Sequence, residues 1–338
     1  MTGIYQIDAN ESLTRRRTAF RARIAYTIAA ASCIAYFLIS MFLIRPIEEA
    51  LLPLMNRLVS SVTADEAVRA ELPAILTDAA GYIFICTVPF LLALAAYCFL
   101  HGASPEPAVK HGAPKMPFLY IGGAIGLSYA LNLIINLLFF SFGDRFLPAE
   151  QVNPVTAPGI ILYFIQLAVL PAILEEIAFR GIILKHLLPY NRFGAMIFSS
   201  LLFGMLHINP RQAIFAAAFG MLLALCYDYT RSIKFTALIH FMNNLISGGI
   251  GYAEQYGNPT TTVLLNMFIY AMMGLGVFAL VYYIRNGIKK QRVSFIRPQH
   301  TGAKLSLGRS MLHCFTNAGT IILLGMYCYI IYLVYYSK

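Results

Sequence analysis

The chain has 338 residues, of which 59% are hydrophobic and only 12% are charged, and its formal net charge is +10. A soluble protein of average composition carries about twice that charged fraction, so these values exclude a soluble globular enzyme or binding domain. The apolar segments are long enough to span a bilayer, and membrane proteins collect basic residues in cytoplasmic loops. The positive charge therefore indicates membrane topology, and we expect no nucleic-acid partner.

Residues 1–116 form the first predicted region, with a polar arm, two membrane spans and the loops around them. The arm carries five arginines just before a span over 24–44. In the following mixed-charge loop, apolar residues recur at helical spacing over 47–62. This pattern predicts an amphipathic helix that lies on the membrane surface or packs on the bundle. The second span is predicted over 79–100.

A linker rich in proline and glycine, residues 101–117, separates this region from the predicted core, residues 117–284. The first span of the core, 118–142, contains Gly122-x-x-x-Gly126, a spacing that permits close helix packing. The remaining core spans are predicted over 159–188, 193–208, 213–229, 235–250 and 261–284. Residues 285–338 form a third region, with a basic loop and a last span over 315–336.

These segments predict an all-α polytopic membrane protein with about eight or nine transmembrane helices. With nine spans and a cytoplasmic N-terminus, 19 of the 25 lysines and arginines fall in segments on the cytoplasmic side. This asymmetry follows the positive-inside rule and supports that orientation. The short polar arms favour a multi-pass protein of a bacterial plasma membrane.

The segment 174–180 interrupts an apolar run with two adjacent carboxylates and an arginine. An ionised carboxylate in hydrocarbon costs at least a few kcal/mol and persists only with a partner or in a water-filled cavity. On a helix, Glu176 and Arg180 are i,i+4 neighbours that can pair, whereas Glu175 points about 100° away. The pattern fits a structural ion pair, and it also fits a carboxylate that accepts a proton from water.

Two later apolar segments carry histidines. His207 taken alone is typical of a packed core histidine. His240 and Asn244 are i,i+4 neighbours, so an imidazole and an amide share one helix face. Such a pair can donate to a developing oxyanion, and it can also bind a metal or a polar substrate.

In combination, Glu-Glu-x-x-x-Arg, Phe-x-x-x-His and His-x-x-x-Asn, in this order, resemble the CPBP family. This family contains the type II CAAX prenyl endopeptidases and the bacteriocin-processing or Abi-like proteins. The resemblance covers about residues 117–284, with the motif-bearing part at about 160–250. It implies a helical intramembrane endopeptidase that hydrolyses a membrane-associated peptide, either prenylated or a leader peptide, with the lipid bilayer as its surroundings.

The resemblance also implies roles for individual residues. Glu175 would activate a water with help from His207, and His240 with Asn244 would form the oxyanion hole. The six implied catalytic residues are Glu175, Glu176, Arg180, His207, His240 and Asn244. If Zn²⁺ is used, its ligands would be Glu175, His207 and His240. The sequence has no His-Glu-x-x-His motif, which favours a metal-free general base.

Two other classes of function remain open. A non-catalytic regulator or immunity protein would keep the fold and bind another membrane protein, although the intact motifs disfavour lost catalysis. A transporter would use the intramembrane carboxylates for coupling, but such folds often show two related halves, and no internal repeat is evident. The six cysteines are expected to be apolar fillers. The remaining histidines are expected to be solvated, and they are His101, His111, His186, His300 and His313.

Overall fold

The computed structural model describes residues 2–101, 116–146, 154–289 and 305–336, and these residues form eleven helices without a strand. A 3₁₀ segment, Phe140–Phe146, continues the fourth helix. The helices are α1 (Thr2–Phe42), α2 (Ile44–Val62), α3 (Glu66–His101), α4 (Pro117–Phe139), α5 (Ala157–Leu187), α6 (Arg192–Met205), α7 (Pro210–Thr230), α8 (Ile233–Tyr256), α9 (Pro259–Lys289), α10 (Leu307–Phe315) and α11 (Ala318–Tyr335). Most of the predicted linker and of the basic loop lies outside the described residues.

Seven of these helices, α1, α3, α4, α5, α7, α9 and α11, are long and apolar enough to cross a membrane. The predicted all-α polytopic membrane architecture is therefore confirmed. Two of the nine predicted spans, 193–208 and 235–250, correspond to α6 and α8, which do not belong to these seven helices. Helix α6 is apolar but has only 14 residues, and α8 has 24 residues but includes His240, Asn243 and Asn244, whose polar side chains lower its hydropathy.

The predicted amphipathic segment is confirmed as α2. In this helix the side chain of Val59 is buried, whereas the side chains of Leu54, Leu58 and Val62 are exposed. Helix α3 begins earlier than predicted, at Glu66, because its first turns are tied to another helix. The carboxylate of Glu71 accepts hydrogen bonds from the backbone and side chain of Thr156, the residue that caps the start of α5.

Helix α5 does not keep a regular pitch. It contains wider π-helical turns at Ile165–Val169 and Ile177–Leu184, which flank the segment that ends in Glu176. Pro171 has no N–H, so the carbonyl of Leu167 lacks its usual α-helical donor. The side-chain Nδ2 of Asn244, on α8, donates to this carbonyl at 3.3 Å. The proline thus creates an acceptor that ties α5 to α8 next to the carboxylates.

The flanking helices share one apolar core with the motif-bearing helices. Buried side chains of α1, α3, α10 and α11 pack against those of α5, α6 and α7. A second, smaller cluster joins α4, α7 and α8. The first and third regions predicted from the sequence therefore contribute packing to the region that carries the motifs.

Helices α4 and α9 approach each other closely at glycines. A Cβ atom on Gly126 would lie 1.8 Å from the carbonyl oxygen of Met272, and one on Gly276 would lie 2.3 Å from the backbone nitrogen of Leu127. A Cβ on Gly122 would meet the side chain of Leu275 at 2.9 Å. The predicted close packing at this glycine pair is confirmed, and only a residue without a side chain fits at Gly126.

Candidate active site

The buried centre of the site is Glu176, whose side chain is 0% exposed. Its Oε1 atom lies 3.0 Å from Nη1 of Arg180 and 3.1 Å from Nδ1 of His240. The Nη2 atom of Arg180 donates to the carbonyl of Gly220 on α7 at 3.0 Å. Buried charges persist only when they are paired and hydrogen-bonded. The predicted i,i+4 pair is therefore present, and it also connects α5 to α7 and α8.

Aromatic rings pack against the side chains of His240 and Arg180. The ring of His240 makes edge-to-face contacts with Phe203 and Phe219, at centroid distances of 5.8 and 5.7 Å. The guanidinium of Arg180 lies over the ring of Phe203, 4.9 Å from its centroid, in a cation–π contact. Because the two phenyl rings fix the imidazole plane, each nitrogen of His240 faces one defined neighbour.

Those two neighbours are the adjacent carboxylates of α5. The Nδ1 atom of His240 faces Glu176, and its Nε2 atom lies 3.8 Å from Oε2 of Glu175. A carboxylate beside one ring nitrogen fixes the orientation of the imidazole, so that Nε2 points toward the second carboxylate. His240 therefore lies between the carboxylate of Glu176, which is buried and paired with Arg180, and the more exposed carboxylate of Glu175.

Glu175 is the more accessible carboxylate, with its side chain 12% exposed. Its Oε1 atom accepts a hydrogen bond of 2.5 Å from the hydroxyl of Tyr82 on α3. Sequence reasoning did not find Tyr82, because it is one of 21 tyrosines and lies outside the three motifs. The hydrogen bond orients the carboxylate, so that its Oε2 atom is the one that faces His240.

His207 follows the end of α6. Its Nδ1 atom lies 3.3 Å from the carbonyl of Phe203, and its own carbonyl accepts from the hydroxyl of Tyr327 on α11 at 3.1 Å. Within the described contacts it makes no hydrogen bond to Glu175, although the two side chains are close enough to interact electrostatically. The site therefore includes His207 at its edge, anchored by the last transmembrane helix.

Asn244 belongs to a chain of amides and hydroxyls across three helices. It donates to Leu167 on α5, and its Oδ1 accepts from Nδ2 of Asn243 at 3.4 Å. The Oδ1 atom of Asn243 in turn accepts from the hydroxyl of Ser128 on α4 at 2.7 Å. Sequence reasoning missed Asn243 and Ser128. An amide nitrogen carries two hydrogens, so Asn244 keeps one donor beyond its contact with α5.

The donor set does not fit a zinc site. Oε2 of Glu175 and Nε2 of His240 face each other at 3.8 Å. In the part of the chain that the structure describes, no group of three or more His, Cys, Asp or Glu side chains is arranged to hold a metal ion. A catalytic zinc site takes three protein ligands, and Glu176 already faces the cation of Arg180.

One histidine outside the site differs from its prediction. His186 was expected to be solvated, but it is buried and stacks on the ring of Tyr97 at a centroid distance of 4.5 Å. Its Nδ1 atom lies 2.6 Å from the carbonyl of Ile182, one turn earlier. Stacking and this contact allow the ring to lie in the core. Four of the six cysteines are buried, as expected for apolar fillers.

Comparison with known proteins adds to this geometry. The family model described as type II CAAX prenyl endopeptidase Rce1-like matches residues 157–246. The chain is 25% identical over 175 residues to the membrane-embedded CAAX protease MroQ of Staphylococcus aureus (strain USA300). This alignment covers 48% of this chain and 71% of MroQ. No solved structure gives a significant match. Because the matched range contains all three motifs, both comparisons support the resemblance to the CPBP family of CAAX proteases.

Proposed function

We propose that this protein is an intramembrane endopeptidase that hydrolyses a peptide bond of a membrane-associated peptide. The family match and the S. aureus relative support an intramembrane protease. The observation that carries the proposal is the partly exposed carboxylate of Glu175, 3.8 Å from His240, in a helix able to cross a membrane. A carboxylate in such surroundings costs free energy, so its presence is typical of a functional site.

Glu175 acts as the general base in the proposed reaction. It takes a proton from a water molecule, and the water oxygen attacks the carbon of the scissile carbonyl. His207 orients this water from the edge of the site. The carboxylic acid then returns the proton to the leaving nitrogen as the C–N bond breaks. One water is consumed, and a new carboxylate and a new amine are the products.

His240 and Asn244 stabilise the tetrahedral intermediate. The oxyanion forms where an imidazole N–H and an amide N–H can both donate to it. Glu176 and Arg180 support this role without contacting the substrate, because the contact of Glu176 with Nδ1 fixes the orientation of the His240 ring. Tyr82 holds Glu175 in the same way, through its hydrogen bond to Oε1.

The proposed mechanism uses no metal. Its support is that the His, Cys, Asp and Glu side chains of the described residues form no group of three arranged to hold a metal ion. The substrates that fit the family are a prenylated CAAX peptide, a bacteriocin leader or a peptide pheromone. We propose that the protein resides in a bacterial plasma membrane, with its N-terminus in the cytoplasm.

The experiment that tests the proposal is cleavage of a library of membrane-associated peptides by purified protein in nanodiscs. The wild type, Glu175→Gln and His240→Ala are compared, each with and without a chelator. Glu66→Gln, at an exposed carboxylate at the start of α3, is the matched control. We expect cleavage by the wild type and the control, with or without chelator, and none by the two site variants.

Two results would contradict the proposal. Loss of cleavage in the presence of a chelator, with recovery on adding zinc, would replace the general base by a metal. Full biological activity of the folded Glu175→Gln variant would favour a non-catalytic regulator that binds another membrane protein.

A further inference from the structure

A basic cavity lies outside the candidate active site, between the first part of α1 and α10. Its volume is about 320 Å³. The polar lining consists of Arg16, Arg309 and His313, and the apolar lining consists of Ala19, Leu305 and Leu312. Three nitrogen-bearing side chains thus meet an apolar wall in one cavity, a combination suited to an amphiphilic anion.

No carboxylate among the described residues neutralises the positive charge of this cavity. Arg16 and Arg309 are exposed, and neither forms an ion pair with a carboxylate in the described part of the chain. Burial and the neighbouring guanidiniums of Arg23 and Arg309 lower the pKa of His313. Both of these neighbouring charges are positive, and a bound anion would relieve their repulsion.

Helix α10 has the form of a helix that lies at a membrane interface. Ser310 and Cys314 face the bundle, and the hydroxyl of Ser310 is 2.7 Å from that of Tyr26 on α1. On the other side, Leu307, Leu312 and Phe315 are 42, 57 and 41% exposed. An anchored helix with exposed apolar side chains beside cations is typical of a segment inserted among lipid headgroups.

We propose that this cavity binds the phosphate headgroup of an anionic phospholipid. The guanidiniums of Arg16 and Arg309 would contact the phosphate oxygens, a geometry for which arginine is well suited. One acyl chain would lie along Leu312. The basic end of the bundle is the end that the positive-inside rule assigns to the cytoplasm, where the leaflet carries anionic lipids. The proposal does not depend on the peptidase activity.

The test measures lipid binding to the purified full chain by native mass spectrometry. The probes are dioleoylphosphatidylglycerol, zwitterionic dioleoylphosphatidylcholine and inorganic phosphate. The variant Arg16→Gln/Arg309→Gln removes the two cations of the cavity. The matched control, Arg45→Gln/Arg57→Gln, removes two exposed cations from α2, and thermal unfolding verifies that all forms are folded.

We expect the wild type and the control to prefer phosphatidylglycerol over phosphatidylcholine. The cavity variant should bind phosphatidylglycerol at least about tenfold more weakly, because each basic residue at an anionic surface contributes to affinity. Equal binding by the cavity variant and the control would overturn the site. Complete displacement of the lipid by inorganic phosphate would overturn the lipid assignment and identify a site for free phosphate.

Discussion

The hydroxyl of Tyr82 on α3 donates to Oε1 of Glu175 on α5 at 2.5 Å, and the two residues are 93 positions apart in sequence. Glu175 is the carboxylate that the buried arginine does not neutralise. A hydrogen bond to an ionised carboxylate is stronger than one between neutral groups. The candidate general base is thus oriented by a side chain from outside the region that the family model matches.

Replacing Tyr82 by phenylalanine should lower kcat/KM by about 10- to 100-fold while the protein stays folded. The reason is the loss of one hydrogen bond to a charged group, which contributes about 1.5–3 kcal/mol. Peptide cleavage across a pH series is the measurement, since a reoriented base also changes the pH profile. Tyr163→Phe, about three turns before Glu175 on the same helix, is the control. Equal loss in both variants would contradict a specific role.

Replacing Arg180 by methionine should destabilise the protein by about 3–5 kcal/mol, because Glu176 would remain buried without its cation. Chemical unfolding in detergent measures this loss. The double variant Glu176→Gln/Arg180→Met removes the uncompensated charge as well, so it should recover part of the stability. It should not recover cleavage, since the carboxylate that orients His240 is gone. A double variant less stable than Arg180→Met would refute this account.

The contact between Asn244 and Leu167 predicts a coupling with Pro171. Asn244→Leu should destabilise the wild type, because the carbonyl of Leu167 would lose its donor. In the Pro171→Ala background, the new backbone N–H supplies that donor, and the same substitution should cost less. A double-mutant cycle measured by unfolding should give a coupling of about 0.5–1.5 kcal/mol. A coupling of zero would mean that the side chain does not replace the missing donor.

The approach of α4 to α9 predicts opposite outcomes for two glycines. Gly126→Ala should destabilise the protein by about 1–3 kcal/mol, because the added Cβ would overlap the carbonyl of Met272. Gly274→Ala, on the facing helix, meets no atom within 4 Å and should be neutral or stabilising. Thermal unfolding of both variants in one detergent is the measurement. Similar losses in both would show that the two helices do not pack at Gly126.

The sequence predicted the features that depend on local spacing. The pair of Glu176 with Arg180 follows from i,i+4 spacing within one helix, and the amphipathic form of α2 follows from the spacing of its apolar residues. The contacts of Tyr82 and Ser128 were not predictable, because each comes from a helix that only the fold brings next to the site. Asn243 was missed because Asn244 carried the motif. About eight or nine spans were expected, and seven described helices are long and apolar enough, since α6 is short and α8 carries polar side chains.

Tyr327 lies on α11, the last described helix, yet its hydroxyl holds the backbone of His207. Leu323 and Ile330 of the same helix belong to the core that surrounds the carboxylates. Ribosomes release these residues after all three motifs have been synthesised. A nascent chain in which α11 has not yet packed therefore lacks the anchor of His207 and part of that core. We therefore expect the candidate site to be complete only after α11 has packed against it.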